Sequence, residues 1–232
     1  MLFVESLLRQ QSGESEVSAI GTTALIWLSG DTIAGLPDGT EVSTWTNLGQ
    51  GGASYNASAS TNLCKKATFG GMPAIDFAAS GIGFDLVTPV TLTGGNATLV
   101  LVTKQSATRV VALGRKAGGC FWGSTTNNNG SFYLYRDTAD TGWSPSTLVS
   151  VAGYKVFCIQ VIGTTSITYF DNSVTPASVS APLGGTFLFD VVGYRGAQTS
   201  RGYAAEIMVF TSVIPVSTCQ TLVSALKVKY NV

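Results

Sequence analysis

The strongest constraint on the fold is a run of short β-type segments that extends through most of the chain. From Thr22 onward, segments rich in β-branched and aromatic residues alternate with gaps that contain Gly, Asn, Asp and Pro. Many such strands without intervening helices are typical of an all-β, two-sheet antiparallel sandwich or jelly roll. The predicted strands are Ala24–Leu28, Val42–Trp45, Ala74–Phe77, Ala97–Thr103, Val110–Gly114, Ser131–Arg136, Tyr154–Ile162, Ser166–Phe170, Thr186–Tyr194 and Tyr203–Thr211.

The N-terminal segment departs from this pattern. Leu2, Phe3, Val4, Leu7 and Leu8 form one apolar side of a short helix, and the polar stretch after them has the composition of a linker. Residues 1–20 are therefore predicted to be an arm and linker, with the apolar stripe available for assembly. The alternative is a helix that folds back onto its own domain.

The C-terminal segment also changes period. Apolar residues recur at helical spacing after Pro215, and Lys227 and Lys229 lie near the negative end of the helix dipole. This pattern predicts one C-terminal helix that packs on the outside of the sandwich. Residues 21–232 are then a single jelly-roll domain, which suits the size of all-β sandwiches.

The charge content restricts the partners. Thirteen basic residues balance thirteen acidic ones, and charged residues make up 11% of the chain, against about 25% in typical soluble domains. Without a basic excess, nucleic acid is not expected as a partner. No segment approaches the roughly 20 apolar residues of a membrane span, so no membrane partner is expected either. A charge-poor surface suits a subunit that is covered by neighbouring copies.

The absence of histidine excludes many enzyme classes. The chain lacks the commonest general base and the usual transition-metal ligand. Cys64, Cys120, Cys158 and Cys219 are widely spaced and contain no C-x-x-C pair, so neither a zinc site nor a redox dithiol is indicated. Cys158 and Cys219 are predicted to be small core residues, and the disulfide state of the four cysteines stays open.

Several motifs in order resemble one superfamily. They are Leu25-Ile26-Trp27-Leu28 with Asp31, Asp38-Gly39, Val42-Ser43-Thr44-Trp45 with Asn47-Leu48-Gly49, Tyr55-Asn56-Ala57, Gly71-Met72-Pro73-Ala74-Ile75-Asp76-Phe77, Phe84-Asp85-Leu86, Ala205-Glu206-Ile207-Met208-Val209-Phe210, and the segment from Leu222 to Tyr230. Together they resemble the concanavalin A-like lectin/glucanase (laminin-G-like jelly-roll) modules, of the kind found in phage virion structural proteins. The resemblance covers roughly residues 22–232 and is only generic over residues 104–150.

The resemblance implies a jelly roll of two antiparallel sheets, with Trp27, Trp45, Phe77 and Val209 pointing inward. The family's enzymes carry an E-x-D-x-E carboxylate strand, and this chain does not. Glycoside hydrolysis needs two acids beside the scissile bond, whereas Glu206 stands alone in an apolar strand and is predicted to anchor a neighbouring loop. The chain is therefore predicted not to be an enzyme.

Two sets of residues are candidate binding sites. Asp31, Asp38, Asp76 and Asp85 are oxygen ligands that calcium accepts, as in glycan-binding family members; the favoured interpretation is that each accepts backbone hydrogen bonds at a turn, so that no cofactor is expected. Trp122, Tyr133, Tyr135 and Trp143 are candidates for an aromatic platform that stacks on sugars. On a strand, however, alternate side chains face the core in any case.

The function predicted first is a virion structural protein, such as a capsid decoration, fibre or tail component. Its partners are expected to be its own copies and other virion proteins, in a particle assembled in the host cytoplasm. The alternative is a lectin-like, carbohydrate-binding module for cell-surface recognition, with surface glycans as the partner. Whether the glycan-binding or assembly role applies is left open by the sequence.

Overall fold

The structure, a computed structural model, describes residues 13–59, 63–77, 83–105, 111–124, 132–135, 155–163, 166–180, 186–196, 198–199 and 202–232. In chain order the strands are β1 (Ile26–Ser29), β2 (Glu41–Val42), β3 (Thr44–Trp45), β4 (Ala57–Ala59), β5 (Cys64–Phe69), β6 (Met72–Asp76), β7 (Phe84–Leu92), β8 (Ala97–Gln105), β9 (Val111–Gly114), β10 (Phe121–Ser124), β11 (Phe132–Tyr135), β12 (Lys155–Ile162), β13 (Ser166–Asp171), β14 (Ala177–Ser180), β15 (Phe187–Val192), β16 (Tyr194–Arg195), β17 (Gln198–Thr199) and β18 (Gly202–Phe210). Residues 13–21 are helical and are called α1; α2 spans Val216–Tyr230, and short 3-10 helices span Gly30–Ile33 and Gly52–Tyr55.

Within the described ranges the strands form two large antiparallel sheets. Sheet A has the order β14-β13-β12-β8-β18-β6-β5-β2, with β1 also pairing to β18. Sheet B has the order β11-β10-β9-β15-β7-β4-β3. The two-sheet antiparallel sandwich predicted from the strand pattern and the C-terminal helix are both confirmed.

The main core lies between the two sheets. Trp45, Phe77 and Val209 are buried there, as predicted. The Trp45 indole N–H also finds a partner, since it donates a 2.8 Å hydrogen bond to the carbonyl of Ser29. Burial of these large side chains, at about 25 cal/mol per Å² of apolar surface, is the main source of the sandwich's stability.

A second apolar layer lies between sheet A and the helices. It includes Trp27, Met208 and Phe210 from the sheet, and Leu222 and Leu226 from α2. Trp27 is buried, but on the helix side of sheet A and not between the sheets, so the prediction for its direction was wrong. It alternates with Ile26 and Leu28, which enter the main core.

The predicted linker is wrong for its second half. Residues 13–21 form α1, which packs on the same domain: Val17 is 1% exposed and joins the layer under α2. Two glycines allow this close approach, because a Cβ at Gly13 would lie 3.1 Å from the Ala225 carbonyl oxygen and one at Gly21 would lie 2.7 Å from the Trp27 ring. The apolar stripe of Leu2, Phe3, Val4, Leu7 and Leu8 lies outside the described residues.

The cysteines and the helices complete the architecture. Cys158 in β12 and Cys219 in α2 are fully buried, as predicted, and no disulfide bond joins them in the structure. A hydrogen bond with Cys219, together with burial, raises the pKa of the Cys158 thiol well above its usual value. No helix in the described part of the chain is long and apolar enough to cross a membrane.

Candidate functional site

Glu206 is held in a buried polar network beneath α2. A register shift between Ala204 and Glu206 in β18 turns this side chain to the helix side of sheet A. One carboxylate oxygen accepts from the Trp27 indole N–H at 2.7 Å, and the other accepts from Lys229 Nζ at 2.6 Å, the Tyr230 hydroxyl at 2.8 Å and the Ser29 hydroxyl at 3.1 Å. Because the carboxylate is 0% exposed and surrounded by donors, Glu206 anchors β1 and α2 to β18 and does not face solvent.

Lys229 connects this network to the surface. Its ammonium lies 2.5 Å from Asp31, whose side chain is 50% exposed, and 2.6 Å from Glu206. Burial alone lowers the pKa of an ammonium, but the charges of Glu206 and Asp31 outweigh burial here and raise the pKa of Lys229. The lysine is therefore charged and fixes the end of α2 on the sandwich.

The four aspartates named as candidate calcium ligands do not come together. Asp31 pairs with Lys229, Asp38 with Lys66 and Asp85 with Lys116, while Asp76 lies in β6 opposite Lys65 and Tyr203. Across the ranges the structure describes, no three His, Cys, Asp or Glu side chains form a group that could hold a metal ion. Asp31, Asp38 and Asp85 each pair with a different lysine that is remote in sequence, so these carboxylates do not gather around one metal position.

The predicted aromatic platform is only partly described. Trp122 is 1% exposed and packs in the main core, so its ring presents no face to a sugar, and that part of the prediction is wrong. Tyr133 and Tyr135 lie in β11, where their side chains are outside the described residues, as is all of Trp143. The platform as a whole therefore stays a prediction.

An open surface lies instead on the outer side of sheet B, along β7. The burial of β7 alternates: Phe84, Leu86, Val90 and Leu92 enter the main core, while the side chains between them point outward. Val87, Pro89 and Thr91 are exposed, with Val87 at 59%. Half-buried Leu188 in β15 lies directly opposite Thr91. We call the surface formed by Val87, Pro89, Thr91 and Leu188 the β7 face.

A charged group of residues borders the β7 face at one end. Lys116, in the loop after β9, places its Nζ 2.8 Å from one carboxylate oxygen of Asp85, and the Tyr194 hydroxyl donates to the other. The backbone N–H of Lys116 donates a 2.6 Å hydrogen bond to Asp190. The Lys116 side chain is 61% exposed and that of Asp85 is 37% exposed. We call Asp85, Lys116 and Asp190, with Tyr194 beneath them, the polar rim.

Irregular backbone positions the polar rim. The β7–β15 pairing shifts register between Phe189 and Val191, because Phe189 pairs with Val90 whereas Val191 pairs with Asp85. Such bulges re-aim side chains, and this one directs Asp190 toward the Lys116 loop. Tyr194 is placed by the turn at Gly193, where φ is +84° and a Cβ would lie 2.3 Å from the Phe77 ring. The rim is therefore fixed to the core from below.

Electrostatics within the polar rim favour the charged lysine. The hydrogen bond to Asp85 and the charge of Asp85, with a smaller contribution from Asp190, raise the pKa of Lys116. The rim thus offers carboxylate acceptors and ammonium donors side by side, next to the apolar β7 face. That combination matches the alternating hydroxyl and C–H surfaces of a sugar ring. Lys116 and Asp190 carried no motif and β7 was not among the predicted strands, so sequence reasoning missed this surface; the alternation of apolar and polar residues along β7 is the signal that could have indicated it.

No protein-family model and no curated protein matches the chain. Solved structures do match the fold. The binding domain of Paraclostridial Mosquitocidal Protein 1 is similar over 88% of this chain and 52% of that one, with a TM-score of 0.56 at 10% identity. Trypanosoma rangeli sialidase, bound to a difluorinated keto-deoxy-nononic acid, is similar over 97% of this chain and 39% of that one, with a TM-score of 0.53 at 9% identity.

A second structure of the Trypanosoma rangeli sialidase, in complex with sialic acid, gives a TM-score of 0.51 at 11% identity. The chain therefore spans about two fifths of the length of the sialidases and about half of the mosquitocidal binding domain. At these identities the likeness shows the fold alone, a β-sandwich.

Proposed function

We propose that this chain is a carbohydrate-binding, lectin-like module that recognises a glycan at the β7 face and the polar rim. The observation that carries the proposal is the juxtaposition of exposed Val87 with the Asp85–Lys116 pair and Asp190. Sugar rings pack their C–H faces on apolar side chains and exchange hydrogen bonds with charged ones, and a pre-formed arrangement lowers the ordering cost of binding.

The solved structures favour recognition over assembly as the role. One similar structure is described as a binding domain, and another as a sialidase in complex with sialic acid. The virion structural role, with its particle location and partner copies, has no counterpart among these similar structures and stays a prediction from the sequence.

The proposed module acts without catalysis. Glu206 is buried under α2 and bound by Lys229. Asp85 is held by the Tyr194 hydroxyl and by Lys116, an arrangement suited to presenting hydrogen bonds and not to cycling a proton.

A glycan array probed with the full chain, followed by calorimetry on the best ligand, tests this function. Val87→Arg places a bulky charge on the β7 face and is expected to abolish binding. Val174→Arg is the matched control, since Val174 is also an exposed valine, at 44%, in a loop beside α2. Both changes are on the surface and should alter the free energy of unfolding by no more than about 0.5 kcal/mol. A chain that binds no glycan on a broad array contradicts the proposal.

A further inference from the structure

The polar rim contains hydrogen-bonding groups that have no partner among the residues the structure describes. One carboxylate oxygen of Asp190 accepts from the Lys116 backbone, and the other has no partner among the described residues. Of the three N–H groups on Lys116 Nζ, one donates to Asp85 and the other two have no partner in the described part of the chain. An acceptor and two donors therefore lie together at the edge of the β7 face.

Building on the proposed function, we infer that the ligand is a neutral glycan, in which two neighbouring hydroxyl groups bridge Asp190 and Lys116. A hydroxyl both donates and accepts, so one can donate to the second Asp190 oxygen while the next accepts from the ammonium. Hydrogen bonds to charged groups are the stronger class, and paired ones fix the orientation of the ring. The apolar side of the same ring then rests on Val87, which lies two residues along β7 from Asp85.

The charge balance of the rim selects against acidic sugars. Asp85 and Asp190 place two carboxylates around one lysine ammonium, and both carboxylates favour its charged form. The ammonium is already bound to Asp85, so a ligand carboxylate or sulfate at Lys116 competes with that ion pair. The same anion approaches Asp190, and like charges in contact cost affinity.

The rigidity of the rim makes this preference specific. Tyr194 is 4% exposed and its hydroxyl fixes Asp85, while the Lys116 amide fixes Asp190. Neither carboxylate can turn away from an anionic ligand without losing a hydrogen bond to the protein. A hydroxyl pair requires no such change.

A pair of polymers that differ only in charge tests the inference. Polygalacturonate and its fully methyl-esterified form share the same backbone and the same neighbouring hydroxyls. Binding of the full chain to both, and to a panel of neutral and acidic glycans, is measured for wild type, Asp190→Asn and Lys116→Met. Lys65→Met, which removes a lysine from sheet A, is the matched control.

We expect wild type to bind neutral glycans, and to bind the esterified polymer at least about tenfold more tightly than the acid. Asp190→Asn and Lys116→Met should each weaken binding of the neutral ligand roughly tenfold to a hundredfold, and Lys65→Met should not. A preference for acidic glycans, or neutral-glycan binding that both rim variants leave unchanged, overturns this inference while the proposed function stands. Failure to bind any glycan overturns both.

Discussion

Replacing Lys229 with methionine tests the network that fixes α2 on the sandwich. The substitution keeps the length and apolar stem of the side chain but removes its charge. Glu206 then remains fully buried without its cation, and Asp31 loses a partner at 2.5 Å. Removing one member of a buried ion pair is destabilising chiefly because the remaining charge stays out of water.

The expected loss follows from the burial of both partners. The side chains of Lys229 and Glu206 are 2% and 0% exposed, and their atoms lie 2.6 Å apart, so the loss should be about 3–5 kcal/mol of unfolding free energy. For a chain of this length each kcal/mol corresponds to roughly 2–4 °C of melting temperature, which gives a fall of roughly 6–20 °C. The hydrogen bonds from Trp27 and Tyr230 still stabilise the Glu206 carboxylate after Lys229 is removed. We therefore expect the loss of unfolding free energy to fall toward the lower end of this range.

Urea unfolding followed by circular dichroism, with a thermal scan alongside, measures this loss. Lys227→Met is the control, since Lys227 lies on the same helix and, among the described residues, donates to the carbonyl of Asn172 alone, at 2.7 Å. The loss of unfolding free energy in this control should stay near 1 kcal/mol. The double variant Glu206→Gln/Lys229→Met should recover part of the stability, because no charge remains buried. If Lys229→Met costs no more than Lys227→Met, the network does not stabilise the fold as argued.

Three further outcomes are expected. Trp45→Ala removes a fully buried ring and should cost about 3–5 kcal/mol in chemical denaturation, whereas a loss below about 1 kcal/mol would contradict its place in the core. The hydrogen bond from Lys66 lowers the pKa of Asp38. The stability contributed by the ionised Asp38 carboxylate is therefore present above the ordinary aspartate pKa of about 3.9 and is lost as pH falls through the lower pKa of the folded state. Asp38→Asn should flatten the acid side of a plot of unfolding free energy against pH, and identical acid sides for wild type and variant would refute the assignment. Gly193→Ala places a Cβ against the Phe77 ring at a φ of +84° and should destabilise the fold by about 1 kcal/mol or more. An unchanged melting temperature would contradict this expectation.

The fold was predictable because strand alternation is local. The strands predicted at 154–162 and 166–170, for example, match β12 (Lys155–Ile162) and β13 (Ser166–Asp171). Strand β7 was not among the predicted strands, although its core-facing and solvent-facing residues alternate in the structure. The direction of the Trp27 side chain could not be predicted from alternation alone. Strand β1 is buried on both sides, so all of its residues are apolar or small and the pattern does not show which side faces the main core. The α1 helix was missed because its order comes from tertiary packing that composition does not show: Gly13 lies against α2, Gly21 lies against Trp27, and Val17 is buried in the same apolar layer.

The candidate site was harder to predict because its contacts are remote in sequence. Asp38, Asp85 and Asp31 pair with lysines that are 28, 31 and 198 positions away. In the sequence the four spaced aspartates were candidate calcium ligands, and nothing local showed that three of them pair with separate lysines. A register shift between β7 and β15 brings Asp190 next to Lys116, and no periodicity in the sequence predicts that shift. A lone acid in an apolar strand requires a buried partner, and Glu206 was predicted to anchor a neighbouring loop; in the structure its carboxylate instead accepts hydrogen bonds from β1 and α2.

An NMR titration tests glycan binding at the β7 face and the polar rim most directly. A glycan from the array is added to the full chain, and changes in backbone amide chemical shifts report both binding and its location. The account predicts that the largest shifts fall on Val87, Thr91, Lys116 and Asp190, with sheet A and α2 unchanged. Shifts centred on sheet A or on α2, or a spectrum that no glycan perturbs, would contradict it.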